Sequence, residues 1–285
     1  MLAVFDIGGT FVKCGLFDDG KISHQAKFPT PKTFEEMLSQ MKSVLDSYDE
    51  TITGVALSAP GTVNAKKRVI EGLSAVPYIH QRPIFDEFEA AFGLPVAIEN
   101  DANCAGICEM KSGAGQGYQN AAFVVLGTGV GGAVFINGQI YKGSHLFGGE
   151  FGLMKNRQET NLSGNGTVVK AAAKYAKLSG REVSGIELFE LEANGDTLAH
   201  EVLEEMYQNI ANLIYNLQVS LDPEIIILGG GVSARSELPE KIRGYLKQTL
   251  EQELIPEVMP EIVCCHYQND ANLLGAAYNF LDQNK

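Results

Sequence analysis

Short apolar runs that close in turn residues recur along the chain. They occupy residues 2–9, 52–61, 94–101 and 224–232, and each carries glycine, asparagine or aspartate at or near its end. A run of this length and punctuation is typical of a strand that is buried on both faces. The pattern therefore predicts several buried strands, spread over the whole chain.

Longer segments between these strands carry apolar residues at helical spacing. Residues 34–48 and 198–221 repeat apolar side chains at every third or fourth position, which is the period of one helix face. Pro223 lacks the amide hydrogen that a helix needs, so we expect it to end the second helix. A last helix is expected after Asp270, whose side chain would cap it. Strands and helices alternate throughout, which predicts an α/β fold.

One part of the pattern occurs twice. Residues 3–22 and 122–140 both read as a strand, a Gly-Thr turn, a second strand, a glycine turn and an isoleucine. Two unrelated hairpins would share this pattern only by coincidence, so the repeat favours a duplicated unit. Duplication predicts two similar α/β lobes, each with a glycine turn after its first strand.

Three familiar nucleotide-binding signatures nearly match these glycine turns, and each fails on its context. Residues 15–21 resemble a Walker A loop, but Ile22 replaces the Ser/Thr that would hold Mg²⁺. Residues 127–132 fit the spacing of the dinucleotide loop, yet a strand follows where that fold needs a helix. They also fit the protein-kinase loop, but no HRD or DFG motif accompanies them, and Glu99 stands where VAIK has its lysine. All three signatures are excluded.

The first glycine turn suits a different kind of phosphate site. A hairpin turn made of Gly8, Gly9 and Thr10 exposes backbone amides in a concavity that fits phosphate oxygens. Lys13 adds a positive charge, and Asp6 at the end of the first strand is placed to hold a metal ion through water. A glycine-rich hairpin in which Asp6 only caps the turn fits this stretch equally well.

The bulk composition limits the class of protein. The chain has 285 residues, 45% of them apolar and 20% charged, which is typical of a globular protein of about two domains. A net charge of −13 argues against DNA or an anionic membrane as partner, because both attract basic surfaces. Five scattered cysteines without a CxxC pair favour reduced thiols. The first residues lack the features of a signal peptide, so we expect a cytoplasmic protein.

Six motifs, taken in order, give the chain a family resemblance. They are DIGGTFVK (6–13), SAPGTVN (58–64), ENDANCA (99–105), LGTGVGG (126–132), GGEFG (148–152) and LGGGV (228–232). In this order they resemble the ROK family (repressors, open reading frames and sugar kinases) over essentially the whole chain. The resemblance implies a two-lobed actin/hexokinase-like (ribonuclease H-like) α/β fold with a cleft between the lobes. The small lobe would comprise residues 1–118 with the C-terminal helix 270–285, and the large lobe residues 119–269.

The resemblance also implies an ATP-dependent sugar kinase and assigns roles to its residues. Asp101 would be the catalytic base, and the sugar would be bound by Gly61, Asn100, Asp101 and Glu150. ATP would be bound by two phosphate loops and an adenosine loop, and Asp6 would hold Mg²⁺ through water. The residues of this ATP site would be Asp6, Gly8, Gly9, Thr10, Lys13, Gly127, Thr128, Gly129, Gly131, Gly230 and Gly231. The chemistry fits, because a carboxylate at a strand end can orient a sugar hydroxyl and take its proton. Without the family, Asn100-Asp101 reads as a turn in which Asp101 caps a helix.

One position departs from the family pattern. Many ROK proteins carry a histidine three residues after the glutamate, followed by a cysteine cluster that binds structural zinc. Here Leu153 replaces the histidine, and residues 154–166 contain no cysteine, so we expect no zinc site. The family histidine also reaches the sugar near C1, and its loss favours a substrate with a substituted anomeric oxygen, a β-glucoside such as cellobiose or gentiobiose. N-acetylmannosamine and glucose remain alternatives.

Two other functions compete with that of a kinase. A transcriptional repressor of the family would carry a helix-turn-helix before its first phosphate loop, but here that loop begins at Asp6, and the acidic charge disfavours DNA. A sugar sensor without kinase activity needs neither Asp101 nor Lys13, although the missing histidine keeps this alternative open. We expect a sugar and ATP as partners, with no nucleic acid and no membrane. The family also admits a homodimer, whose interface the sequence does not identify.

Overall fold

The computed structural model describes residues 1–155, 161–267 and 270–284. The chain divides into two compact units, which we call the first and the second unit. The first unit comprises Met1–Gln116, Gly143–Phe147 and Tyr267–Lys285, and the second comprises Gly117–Lys142 and Gly148–His266. Two limits of the lobes expected from the sequence, at 269 and 285, fall outside the described residues.

The first unit is built on a five-stranded sheet of order β3-β2-β1-β4-β7. Its strands are β1 (Leu2–Ile7), β2 (Phe11–Asp18), β3 (Lys21–Pro29), β4 (Gly54–Ala59) and β7 (Val96–Asn100), and a small separate sheet pairs β5 (Thr62–Asn64) with β6 (Val69–Glu71). The helices of this unit are α1 (Phe34–Asp46), α2 (Ile84–Phe92), α3 (Asp101–Ser112) and α8 (Ala271–Gln283). Strands β1 to β3 pair antiparallel, whereas β1, β4 and β7 run parallel. The carboxyl ends of these parallel strands therefore lie at one edge of the sheet.

The second unit has a sheet of order β10-β9-β8-β11-β12. Its strands are β8 (Ala121–Leu126), β9 (Val130–Ile136), β10 (Gln139–Ile140), β11 (Ile225–Gly229) and β12 (Glu261–Cys264), and its helices are α4 (Val168–Ser179), α5 (Gly185–Ala193), α6 (Thr197–Leu221) and α7 (Leu238–Gln252). The pairing again begins with two antiparallel ladders and continues with two parallel ones. The prediction of two similar α/β units from the sequence repeat is confirmed.

Most elements expected from the apolar pattern are present. The four buried strands are found as β1, β4, β7 and β11, whose residues are buried except for Asn100 at the end of β7. Helix α1 turns Phe34, Met37 and Met41 into the core. Helix α6 ends at Leu221, and Asp222 leaves the helix in the left-handed conformation just before Pro223.

The predicted capping role of Asp270 is wrong. Asp270 stands directly before α8, but its φ of −104° and ψ of −2° are close to helical, and its side chain makes no capping hydrogen bond. A capping side chain needs the extended conformation that aims its oxygen at the amides of the first turn. The carboxylate of Asp270 instead accepts a hydrogen bond from Gln25 Nε2 at 3.1 Å.

Helix α8 packs closely against α3 in the first unit. A Cβ atom added to Gly275 would lie 1.7 Å from the carbonyl oxygen of Cys104, so only glycine allows this approach. The contact fixes the start of α3, which follows the end of β7. In the part of the chain that the structure describes, no helix combines the length and apolar character needed to cross a membrane.

Candidate active site

The first glycine turn connects β1 to β2 and is braced by its neighbours. Gly8 N donates to Phe11 O at 3.0 Å, and Thr30 Oγ1 donates to Gly8 O at 2.6 Å. A Cβ atom on Gly8 would lie 2.9 Å from Phe11 O, and one on Gly9 would lie 2.8 Å from Ala75 Cβ. A contact within the turn therefore excludes a Cβ at Gly8, and a contact with Ala75 excludes one at Gly9. Gly9 and Thr10 are exposed, so the turn presents its backbone to solvent.

Asp6 is held at the end of β1 by partners from other elements. The residue is 8% exposed, and its Oδ1 accepts hydrogen bonds from Ser58 Oγ at 2.8 Å and Asn272 Nδ2 at 3.0 Å. Its Oδ2 lies 3.9 Å from Lys13 Nζ. Since these partners come from β4, α8 and β2, Asp6 is anchored to the sheet and does not serve as a cap of its own turn.

Four polar residues form a row across the first sheet. In the strand register Lys13 is opposite Asp6, Asp6 is opposite Ser58, and Ser58 is opposite Glu99. Ser58 and Glu99 are fully or almost fully buried, and burial of such groups is costly unless they are hydrogen-bonded. We call this set, Lys13–Asp6–Ser58–Glu99, the polar row.

Asn100 and Asp101 stand where β7 meets α3. Asn100 is the N-cap: its Oδ1 accepts from Asn103 N at 3.1 Å, and its Nδ2 donates to Gly61 O at 3.0 Å. The alternative in which Asp101 caps the helix is therefore wrong. The hydrogen bond between Asn100 and Gly61 ties together two of the residues expected to bind sugar.

Asp101 is the first residue of α3 and is partly buried. Burial raises the pKa of its carboxyl, and the negative charge of Asp6 raises it further. A hydrogen bond from Ala102 N at 2.8 Å opposes this rise. A carboxylate with a raised pKa is a stronger base than an exposed one, which suits proton removal from a hydroxyl.

The second glycine turn, in the second unit, connects β8 to β9. Gly127 N donates to Gly129 O at 2.9 Å, and Val130 N donates to Ser163 Oγ at 3.0 Å. Thr128 is exposed. A Cβ atom on Gly127 would have as its nearest neighbour Gly129 O, at 3.9 Å, an ordinary contact. The fold therefore does not itself require glycine at this position, and the free space suits a group that approaches the backbone. Gly131 follows within β9.

The third glycine loop follows β11 in the second unit. Gly230 has a φ of +91°, and a Cβ there would lie 2.4 Å from Leu126 O, so the fold requires this glycine. A Cβ on its neighbour Gly231 would have no atom within 4 Å. Ser233 Oγ donates to Gly230 O at 2.7 Å and closes the loop.

Glu150 directly precedes a short 3₁₀ turn of the second unit, Phe151–Leu153, and Leu153 is the last residue of that turn. Both side chains are exposed, Leu153 by 55%. The preceding Gly149 has a φ of +94°, and a Cβ there would lie 2.4 Å from Gly132 O. Close packing of this segment on β9 therefore holds Glu150 at the surface of the unit.

Among the described residues, no group of three or more His, Cys, Asp or Glu side chains is placed to hold a metal ion. The segment on which the prediction of no zinc depends includes residues 156–160, which lie outside the described ones. The absence of a zinc site therefore stays a prediction.

Sequence reasoning missed several residues of the first unit. Ser58, Glu99 and Asn272 support Asp6 and the start of α3. The strand register places Ser58 and Glu99, and the docking of α8 places Asn272. Ser58 and Glu99 do stand within the quoted SAPGTVN and ENDANCA segments, Ser58 three residues before Gly61 and Glu99 directly before Asn100.

Known proteins resemble this chain in sequence and in structure. The model of the ROK family matches residues 2–283. A β-glucoside kinase of Listeria monocytogenes is 33% identical over 99% of this chain and 98% of its own. A ROK family protein from Streptococcus pneumoniae, solved in complex with sucrose, has a TM-score of 0.92 and 36% identity over 99% of this chain and 98% of that one. A ROK family glucokinase from Streptomyces griseus, solved with glucose and AMPPNP, has a TM-score of 0.79 and 26% identity, covering 97% and 98%.

The family model thus covers nearly the whole chain. ROK kinases use ATP, in keeping with the ATP analogue in the glucokinase structure. The chain belongs to the ROK family and is an ATP-dependent carbohydrate kinase with the mixed α/β, two-sheet, actin/hexokinase-like fold.

Proposed function

We propose that the protein is a β-glucoside kinase, which transfers the γ-phosphate of ATP to the 6-hydroxyl of the non-reducing glucose of a substrate such as cellobiose. The observation that carries this proposal is Leu153, an exposed apolar side chain at the position of the family histidine. Leucine has no donor for a free anomeric hydroxyl, and a substituted anomeric oxygen needs none. The similarity to a β-glucoside kinase over the full chain supports the same substrate class.

In this proposal Asp101 accepts the proton of the sugar 6-hydroxyl as the new phosphate ester forms. Gly61 and Asn100, which are hydrogen-bonded to each other, orient the sugar beside it, and Glu150 binds further sugar hydroxyls. The raised pKa of Asp101 has a definite consequence for the rate. The base must be ionised, so the rate falls as the pH is lowered through this raised pKa, at a higher pH than for an exposed aspartate.

The proposed ATP site consists of backbone amides, one lysine and one carboxylate. Phosphoryl transfer has a loose transition state, so positioning and charge neutralisation supply most of the catalysis. The exposed glycine turn at 8–10 and Lys13 would hold phosphate oxygens, and the open space at Gly127 and Gly231 fits the approach of phosphate and adenosine. Asp6 would hold Mg²⁺ through water, since a carboxylate oxygen is the ligand type that Mg²⁺ prefers. Bound Mg²⁺ neutralises the charge that develops on the phosphates.

A sugar panel tests the substrate. ADP release is measured with ATP, Mg²⁺ and cellobiose, gentiobiose, methyl β-glucoside, glucose or N-acetylmannosamine, and NMR of the product locates the phosphate. We expect the highest kcat/KM for a β-glucoside, with phosphate on the 6-oxygen of its non-reducing glucose. Turnover of a free monosaccharide about 100-fold faster than of any β-glucoside, or about 2.7 kcal/mol in transition-state binding, would overturn the proposal in favour of an N-acetylmannosamine kinase or a glucokinase.

The variant Leu153→His sharpens this test. It restores a donor at the position of the family histidine, so we expect it to raise kcat/KM for glucose relative to cellobiose. The substitution Leu178→His serves as control, because Leu178 is an equally exposed leucine on α4. An unchanged ratio of glucose to cellobiose in Leu153→His would show that this position does not set the substrate.

A further inference from the structure

The segment 72–80 of the first unit lies against both loops that we assign to the substrates. A Cβ on Gly9, in the phosphate turn, would lie 2.8 Å from Ala75 Cβ. A Cβ on Gly61, in the loop after β4, would lie 2.6 Å from His80 Cε1. The segment follows β6 and ends at a 3₁₀ turn, Pro77–Ile79. No motif accounts for it, and the imidazole of its His80 packs on the loop after β4.

The imidazole of His80 is bound on one side only. Its Nε2 lies 2.7 Å from Ser74 Oγ, and the same Oγ accepts a hydrogen bond from Val76 N at 3.1 Å. Its Nδ1 is buried and has no hydrogen-bond partner in the described part of the chain. A buried nitrogen without a partner is costly and is rare in native proteins. A state of the protein in which Nδ1 finds a partner is therefore favoured.

The surroundings indicate where that partner comes from. His80 Cε1, the ring atom that lies between Nδ1 and Nε2, packs on Gly61. Gly61 O accepts the hydrogen bond from Asn100 Nδ2, and Asp101 follows Asn100. His80 thus lies next to Gly61, one of the residues assigned to the acceptor sugar. The hydroxyl groups of a sugar both donate and accept hydrogen bonds.

We propose that His80 is a specificity-determining residue of the acceptor site, and that its Nδ1 forms a hydrogen bond with a hydroxyl of the bound sugar. The proposal rests on the assignment of Gly61 and Asn100 to the sugar site. Both tautomers permit it. If Ser74 donates to Nε2, then Nδ1–H donates to the sugar oxygen, and if Nε2–H donates to Ser74, then Nδ1 accepts from the sugar hydroxyl.

Two substitutions separate the two ring nitrogens. His80→Gln places an amide near the position of Nε2, so it keeps the contact with Ser74 and loses Nδ1. His80→Asn places an amide near the position of Nδ1 and loses the contact with Ser74. Ser74→Ala is the matched control, since it removes the partner of Nε2 and leaves the imidazole in place. For each variant we measure the melting temperature, kcat, KM for ATP, KM for the sugar, and the sugar Kd by calorimetry without ATP.

We expect His80→Gln to raise the sugar KM and Kd by about 3- to 10-fold, the worth of one neutral hydrogen bond, with an unchanged KM for ATP and an unchanged melting temperature. His80→Asn and Ser74→Ala should lower the melting temperature and leave the sugar KM within about 2-fold of wild type. A His80→Gln enzyme with the wild-type sugar KM and Kd overturns the proposal. An equal rise of the sugar KM in both His80 variants, together with a lower melting temperature, also overturns the proposal. Such a result would mean that His80 acts only through its packing.

A measurement on the wild-type protein does not depend on the folding of any variant. With ¹⁵N-labelled histidine, titration with sugar should shift the Nδ1 resonance of one histidine, and ATP alone should not. His80→Asn or His80→Gln, whichever folds, assigns the signal. No sugar-dependent shift at His80 would refute the contact, including the case in which a permanent water satisfies Nδ1.

The sugar in these experiments is the one with the highest kcat/KM in the panel described above. If that sugar is glucose or N-acetylmannosamine, the β-glucoside proposal fails while the role of His80 is still tested. If a β-glucoside is best and His80→Gln behaves as wild type, only the role of His80 fails.

Discussion

The two units share the order of their strands and a glycine hairpin, but they place different side chains beside that hairpin. In the first unit the polar row crosses three neighbouring strands at the level of the turn and continues onto a fourth. In the second unit the corresponding register positions are occupied by Gly131, Val125 and Gly229. The same backbone topology thus carries an aspartate and a lysine in the first unit, and uncharged residues in the second unit.

The turns themselves also differ. Ile7 pairs with Val12 in the first hairpin and Leu126 with Val130 in the second, so the turn spans residues 8–11 in one and the shorter stretch 127–129 in the other. The glycines of the first turn are required by protein contacts, whereas Gly127 has open space around its Cα. We infer that the duplicated hairpin supplies backbone amides in both units, and that the charges used for metal and proton transfer belong to the first unit alone.

Among substitutions that compare the two units, the largest effect is expected from neutralising the carboxylate of Asp6. Asp6→Asn keeps an oxygen for Ser58 and Asn272 but removes the charge that would hold Mg²⁺. Loss of one such electrostatic contribution costs about 10²- to 10³-fold in kcat, and we expect the remaining activity to need more Mg²⁺. The measurement is kcat as a function of Mg²⁺ concentration.

The matching change in the second unit is the control for Asp6. Val125→Thr alters the residue at the equivalent position with little change in shape, and we expect kcat within about 3-fold of wild type. Equal losses in Asp6→Asn and Val125→Thr would contradict the assignment of the charge chemistry to the first unit.

A smaller effect, on the KM for ATP, is expected from substituting Gly231, where an added Cβ would have no atom within 4 Å. Gly231→Ala meets no protein atom, so the melting temperature should be unchanged, while the KM for ATP should rise by about 10-fold, or 1.4 kcal/mol. Steady-state kinetics with varied ATP tests this. Gly244→Ala, on α7 with the same open surroundings, should leave the KM for ATP as it is. A wild-type KM in Gly231→Ala would remove that loop from the ATP site.

The smallest effect concerns stability and follows from the raised pKa of Asp101. A carboxyl whose pKa is higher in the folded than in the unfolded state favours folding most below its unfolded pKa, roughly 3.9, and loses this contribution as the pH rises through the folded pKa. The ionised form is therefore unfavourable at pH 7, and Asp101→Asn should be more stable than wild type there.

Urea unfolding of both proteins at pH 7 and at pH 4 measures this difference. The advantage of Asp101→Asn should shrink at the lower pH, because a larger fraction of the wild-type carboxyl is then protonated in the folded state. A wild-type protein that is the more stable one at pH 7 would contradict the physical account of Asp101, whatever its role in catalysis.

Sequence patterns alone identify the elements that carry local signals. The buried strands, the two hairpins, the long helix α6 and the three glycine loops all follow from apolar spacing and turn residues. Capping is less well determined, because it depends on one residue's dihedral angles. Asn100 caps α3 where Asp101 is an equally good candidate in sequence, and Asp270 stands before α8 without capping it.

The residues that hold Asp6 in place cannot be predicted from local sequence patterns. Ser58 and Asn272 lie 52 and 266 residues from Asp6 in the chain, and only the sheet register and the docking of α8 bring them to its carboxylate. A period of apolar residues tells which face of a strand is buried but not which strand lies beside it. His80 is found only when the hydrogen bonds of its two nitrogens are compared.

The measurement that tests the central claim most directly compares sugar binding and turnover in Asp101→Asn. The asparagine keeps an oxygen for Ala102 N and can still accept a hydrogen bond from the sugar, but it cannot take the proton. We predict a sugar Kd within about 3-fold of wild type and a loss of about 10²- to 10⁴-fold in sugar-dependent ADP release. ADP release near the wild-type rate, or a loss of turnover that only mirrors a loss of sugar binding, would contradict the role of Asp101 as the base.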